Sequence, residues 1–256
     1  YVQLVDNPVM VCKADTSSFY AGKTKVTVSL YSETGMYTSN QIAESLKPLA
    51  RALESFFSEL PVDHYDFIMY LPRYAKEGVS RYGGFGALEH SYCSFYFVPE
   101  IPDPGYFFDL LQSISGHEFL HILTPLNVHS KEIDDFDFRN PKMSQHLWMY
   151  EGVTEYFAHL VRLKAGITDQ ETFRLEMEDK IKRAAPYGNV SFTEMSRNIL
   201  TDQYKESYSN VYQKGALIGF LLDIRLNELS EGKKDLRWLM LELAEKFGPA
   251  VPFNDE

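Results

Sequence analysis

His117-Glu118-Phe119-Leu120-His121 decides how this chain is read. Residues four apart on a helix project from one face, so the two imidazoles can grip one metal ion while the Glu118 carboxylate stands beside it. That is the ligand and base spacing of a zinc hydrolase. With seven histidines in 256 residues, chance alone yields such a motif in about one or two chains per hundred, so its surroundings must carry the rest. Upstream, Pro102-Asp103-Pro104-Gly105 reads as a loop, and Phe107, Leu110, Leu111 and Ile114 recur at helical spacing toward Phe119, Leu120 and Leu123. The motif is therefore predicted on a buried helix. That helix should stop near Thr124-Pro125, because proline disfavours helical geometry in the residue before it.

A catalytic zinc needs a third protein ligand and an open position. The downstream stretch Leu147 to Phe157 supplies the candidate. On a helix Glu151 and Glu155 share a face, so one carboxylate can bind the metal while the other hydrogen-bonds the far nitrogen of a ligating imidazole, which holds the ring in place. Glu151 is assigned as ligand with His117 and His121, for one zinc ion, and Glu155 as the support behind it.

At 256 residues and 45% hydrophobic content the chain can bury a sizeable core, as one catalytic unit of two lobes. A net charge of −11 argues against a nucleic-acid partner and disfavours an anionic membrane surface. No run of eighteen apolar residues is present to span a bilayer. Cys12 and Cys93 are too few to fix the compartment; an extracytoplasmic setting, in a bacterial periplasm or cell envelope, is the expectation.

Thr24 to Tyr31 alternates at period two and reads as a strand, with others expected at Tyr65 to Leu71 and Ser91 to Val98 after a glycine-rich turn, Gly83-Gly84-Phe85-Gly86. Residues 41 to 60 carry an amphipathic helical pattern in which Pro48 should mark a kink or late start. Further helices are expected near 147–164, 170–184, 211–228 and 235–247. Strands first and helices afterwards predict an α+β fold, a small amino-terminal sheet lobe leading into a helical lobe that carries the motif helix. The acidic stretch from Glu132 to Asp137 lacks calcium-loop spacing and reads as a solvated loop.

Four stretches together resemble the catalytic domain of the glycyl aminopeptidase family, gluzincin zinc peptidases with a glutamate third ligand and a thermolysin-like catalytic lobe. They are Leu4-Val5-Asp6-Asn7-Pro8, Gly86-Ala87-Leu88-Glu89-His90, the motif helix with Leu147 to Gly152, and Tyr212-Gln213-Lys214-Gly215-Ala216. The resemblance implies that the Gly86–His90 segment is an edge strand beside the metal. Gly86, Ala87 and His90 would then line the substrate, and the Glu89 carboxylate would bind its free amino end. It implies that Tyr212 stabilises the oxyanion, with Tyr208 a second candidate, and that Glu118 is the general base. The expected substrate is a peptide with a small amino-terminal residue such as Gly or Ala.

By the same resemblance, residues 1–30 look like the tail of an amino-terminal β domain plus the first strand and 31–256 like the zinc metallopeptidase catalytic domain, with further domains in the full-length protein. Two alternatives differ in what they cut: a zinc endopeptidase of the same clan, which would prefer blocked peptides, and a non-catalytic peptide-binding relative. An intact Glu118 argues against the second.

Overall fold

The structure, a computed structural model, describes residues 2–75, 84–134 and 136–254. Gly83 of the expected glycine-rich turn and Asp135 of the acidic stretch lie outside the described residues. The chain divides into two compact units, Tyr1–Ile122 and Leu123–Glu256.

The amino-terminal unit is built on a five-stranded sheet, order β1-β2-β3-β5-β4. A short helical turn, α1 (Val2–Val5), precedes it. β1 (Asp15–Ala21) and β2 (Thr24–Ser32) form an antiparallel hairpin whose tight turn places Gly22 at φ +57°, a left-handed conformation that favours glycine. β2 then pairs in parallel with β3 (His64–Leu71), and β3 with β5 (Cys93–Phe97). β4 (Gly86–Glu89) runs antiparallel to β5 at the sheet edge. The boundary expected at residue 30 falls inside β2, a strand paired on both sides.

Parallel pairing of β2 and β3 requires a crossover, and α2 (Ser39–Phe57) supplies it. Its start is set by Thr38 and Gln41, which cap each other: the Gln41 N–H donates to Thr38 Oγ1 at 3.3 Å and the Thr38 N–H to Gln41 Oε1 at 2.9 Å. The helix thus begins ahead of Pro48 and runs through it, rather than starting late. Its buried face, Ile42, Leu46, Leu49 and Leu53, covers the sheet whose own buried residues alternate as Val26, Val28, Leu30 and Tyr65, Phe67, Met69. α3 (Pro104–Leu120) packs on α2 and the β4–β5 edge.

The carboxy-terminal unit is helical. After α4 (Lys131–Asp134), a π-helical turn at Trp148–Val153 continues into α5 (Thr154–Lys164); α6 (Gln170–Ala184), α7 (Phe192–Arg197), α8 (Asn210–Leu229) and α9 (Leu236–Lys246) follow. Leu147, Met195, Ile199 and Val211 form one buried cluster. α8 crosses the π-helical turn at two glycines: a β-carbon on Gly152 would lie 2.5 Å from the Cα of Gly215. The α+β class read from the sequence is the class observed. Among the described residues, no helix is long and apolar enough to cross a membrane.

Candidate metal centre

Asp103 starts the motif helix by accepting from the Gly105 and Tyr106 N–H groups at 3.0 and 3.3 Å, and Pro104 follows at the first helical position. The helix ends at Leu120, four residues before the expected stop. Its last turn tightens instead, with the His121 N–H reaching the Glu118 carbonyl and the Ile122 N–H the Phe119 carbonyl, each at 3.3 Å. Gly116 lets this end of α3 lie against α2, since a β-carbon there would already meet Leu49 at 3.3 Å.

His117 and His121 stand edge to face, ring centroids 4.8 Å apart at 82°. All three motif residues are buried, His121 to 1% exposure. The Tyr65 hydroxyl donates to the Glu118 carbonyl at 3.4 Å, and its ring packs 4.1 Å from Phe119. Burial first, with the Glu118 and Glu89 carboxylates adding to it against a lowering hydrogen bond from Ser94, holds the Tyr65 pKa well above the usual phenol range.

Glu89 ends β4, and one ligand-type atom each from Glu89, Glu118 and His121 lie within 4.8 Å of one another. Alternation along β4 puts Ala87 and Glu89 on its partly buried face and leaves Gly86 and Leu88 exposed. His90 turns away from the strand: its N–H donates to the Cys93 carbonyl at 2.8 Å and its ring Nδ1 lies 3.7 Å from Asp6 Oδ1. That same Asp6 oxygen accepts from the Ser91 N–H at 3.0 Å. The Leu4–Pro8 stretch thereby pins the turn that follows Glu89. Cys12 and Cys93 are both free, and burial, with Asp66 and Asp6 nearby, pushes the Cys93 thiol up to about 11.

In the carboxy-terminal unit Glu151 sits inside the π-helical turn, a local widening that the sequence pattern does not distinguish from ordinary helix. Glu155 follows on α5, and its Oε1 accepts from Lys180 Nζ at 2.7 Å and lies 3.3 Å from His159 Nε2. His159 Nδ1 faces Glu176 at 2.8 Å, and Arg162 reaches the other Glu176 oxygen at 3.4 Å. Burial alone would lower the His159 pKa, but the hydrogen bonds to Glu155 and Glu176 outweigh it and raise the pKa above the usual histidine value. This buried network of Lys180, His159, Glu176 and Arg162 escaped the sequence reading. The i,i+4 pairs Glu155/His159 and Glu176/Lys180 were visible signals, but only packing of α5 on α6 shows that they meet.

Tyr212 opens α8 beside Tyr208, with their hydroxyl oxygens 3.5 Å apart and ring centroids 5.9 Å apart. His129, buried, has Nε2 at 3.5 Å from Asp134 Oδ1, and the His146 ring packs 5.1 Å from that of Phe253.

Paired imidazoles with adjacent carboxylates form a donor set suited to a divalent metal such as zinc. Residues 110–218 match the family M61 glycyl aminopeptidase, and among curated proteins none matches the chain. Three solved structures resemble the fold. An aminopeptidase N family protein from Idiomarina loihiensis is 24% identical with a TM-score of 0.77, over 95% of this chain and 43% of that one. An M1 zinc metallopeptidase from Deinococcus radiodurans, bound to a Tyr-Ser-Ala substrate, is 14% identical with a TM-score of 0.58, over 94% and 46%. Yeast LTA4 hydrolase in complex with bestatin is 15% identical with a TM-score of 0.57, over 94% and 35%. The chain thus spans less than half the length of each. The family expected from the sequence is the family matched: residues 110–218 carry the glycyl aminopeptidase pattern, on a fold shared with the M1 zinc metallopeptidases.

Proposed function

We propose that this chain is the catalytic part of a zinc-dependent aminopeptidase acting on peptides with a free amino terminus and a small first residue such as Gly or Ala. The observation that carries this reading is the convergence of Glu89 with Glu118 and His121 to within 4.8 Å. A carboxylate fixed there pairs with a substrate ammonium, sets the first peptide carbonyl beside the motif residues and leaves no room for residues upstream. The Deinococcus neighbour is bound to a peptide substrate, Tyr-Ser-Ala.

In this reading His117, His121 and Glu151 hold one zinc ion, and Glu155 supports a ligating imidazole. Zinc, when bound, supplies Lewis acidity that polarises the scissile carbonyl and acidifies water. Glu118 takes the proton of the attacking water and delivers it to the leaving amine as the C–N bond breaks. Tyr212 donates to the oxyanion. The test is hydrolysis of free glycyl and alanyl amides beside amino-blocked peptides, using zinc-loaded protein and the variants Glu118→Gln and Glu89→Ala. The expected result is cleavage of the free substrates only, a loss of about 100- to 10,000-fold in Glu118→Gln, and loss of the free-amine preference in Glu89→Ala. Faster internal cleavage of blocked peptides would establish the endopeptidase alternative instead.

A further inference from the structure

Lys180 is a buried lysine, 6% exposed, and a buried ammonium is costly unless its charge is paired and its protons are placed. Its Nζ donates to Glu155 Oε1 at 2.7 Å and reaches the Tyr212 carbonyl oxygen at 3.4 Å. Glu155 lies one turn beyond Glu151, and Tyr212 lies in the first turn of α8. One ammonium therefore touches both the helix that carries the candidate ligand and the helix that carries the candidate oxyanion donor. The Gly152–Gly215 contact brings these helices together, but two glycine backbones in van der Waals contact offer little resistance to sliding. Hydrogen bonds are directional and fix the register.

On the far side, Glu155 faces His159, which is itself anchored on Glu176.

Resting on the zinc aminopeptidase reading for the roles of Glu151 and Tyr212, we infer that Lys180 is a positioning residue of the metal centre: through Glu155 and the Tyr212 backbone it fixes the Glu151-bearing and Tyr212-bearing helices against each other.

The test compares Lys180→Met, Lys180→Arg, Glu155→Gln and the Lys180→Met/Glu155→Gln double variant. Zinc affinity is read by chelator competition, kcat and KM on an alanyl amide, and the melting temperature alongside. Removing an outer partner of a metal site typically costs about 10- to 100-fold in affinity. Lys180→Met is expected to bind zinc about tenfold more weakly and to lose kcat at nearly constant KM, with Lys180→Arg recovering part of both. The double variant should bind zinc no more weakly than Glu155→Gln alone, because the two residues act together.

Wild-type zinc affinity in Lys180→Met, losses that add independently in the double variant, or losses that only follow the folded fraction would each overturn the inference. If Lys180→Met does not fold, Lys180→Gln, whose shorter side chain cannot span from α6 to both Glu155 and the Tyr212 carbonyl, carries the same expectation. Wild-type protein that binds zinc and cuts nothing would end the peptidase reading, while the zinc affinities would still judge Lys180.

Discussion

Gly152→Ala tests the helix crossing that sets Glu151 relative to Tyr212. The added β-carbon would lie 2.5 Å from both the Cα and the carbonyl carbon of Gly215 and 2.9 Å from its oxygen. Carbon atoms in contact rest about 3.5–4.0 Å apart, so the helices must part by about 1 Å. The obstacle is backbone and cannot rotate aside. Overpacking of this kind costs about 1–3 kcal/mol, against at most about 1 kcal/mol that alanine recovers over glycine in a helix. With that recovery subtracted in full the net loss is about 0–2 kcal/mol, and a displacement of about 1 Å beside the site is enough to cost about a hundredfold in rate.

Graded comparisons come from the same interface. Gly215→Ala places its β-carbon 2.9 Å from the Gly152 Cα, a smaller parting. Gly219→Ala meets only the Tyr156 side chain, at 3.2 Å, and should stay within about 1 kcal/mol of wild type. Urea unfolding, zinc affinity and turnover of the three variants give the order. A Gly152→Ala protein with wild-type unfolding midpoint and turnover would refute the close approach and the positioning argued from it.

Tyr212→Phe is expected to lower kcat about 100- to 1000-fold with zinc binding retained; unchanged turnover would pass the oxyanion role to another donor, Tyr208 first. Asp103→Ala removes the cap of the motif helix and should cost about 1 kcal/mol in urea unfolding, and a loss within error would mean that packing against α2 alone sets the start of α3. His159 has a raised folded pKa, so its charged form stabilises the fold. That contribution is complete below its ordinary value near 6.5 and fades as pH rises through the higher folded value. The stability gap between wild type and His159→Gln should therefore be wider at pH 5.5 than at pH 9, as measured by denaturation at the two pH values; a gap that widens with pH would reverse the sign.

Much of the amino-terminal unit could be read directly. Alternation in Thr24–Tyr31 and Tyr65–Leu71 is a local signal of one buried face, and both strands are present. β1 has no legible period because its first half, Asp15-Thr16-Ser17-Ser18, is polar and mostly exposed at the sheet edge, where pairing with β2 makes the strand. Of the two readings of Pro48, a kink or a late start, the late start does not hold: the capping pair at Thr38 and Gln41 and the apolar face on both sides of the proline carry α2 through it. Gly86, read from its residues as part of a turn, opens β4, since a four-residue edge strand has too few positions to show a period.

Candidates for the chemistry were legible in short stretches of chain. The spacing of His117, Glu118 and His121, and of Glu151 and Glu155, follows from helix geometry, and the resemblance singled out Glu89 and Tyr212. Packing alone brings Glu89 to Glu118 and His121, sets Gly152 and Gly215 backbone to backbone, and closes Lys180 on Glu155 and Tyr212. The two kinds of information differ in range. Period, caps and motif spacing are written within a few residues of chain, whereas the encounter of an edge strand with a helix, or of a buried lysine with a carboxylate 25 positions away, is set by how whole elements pack.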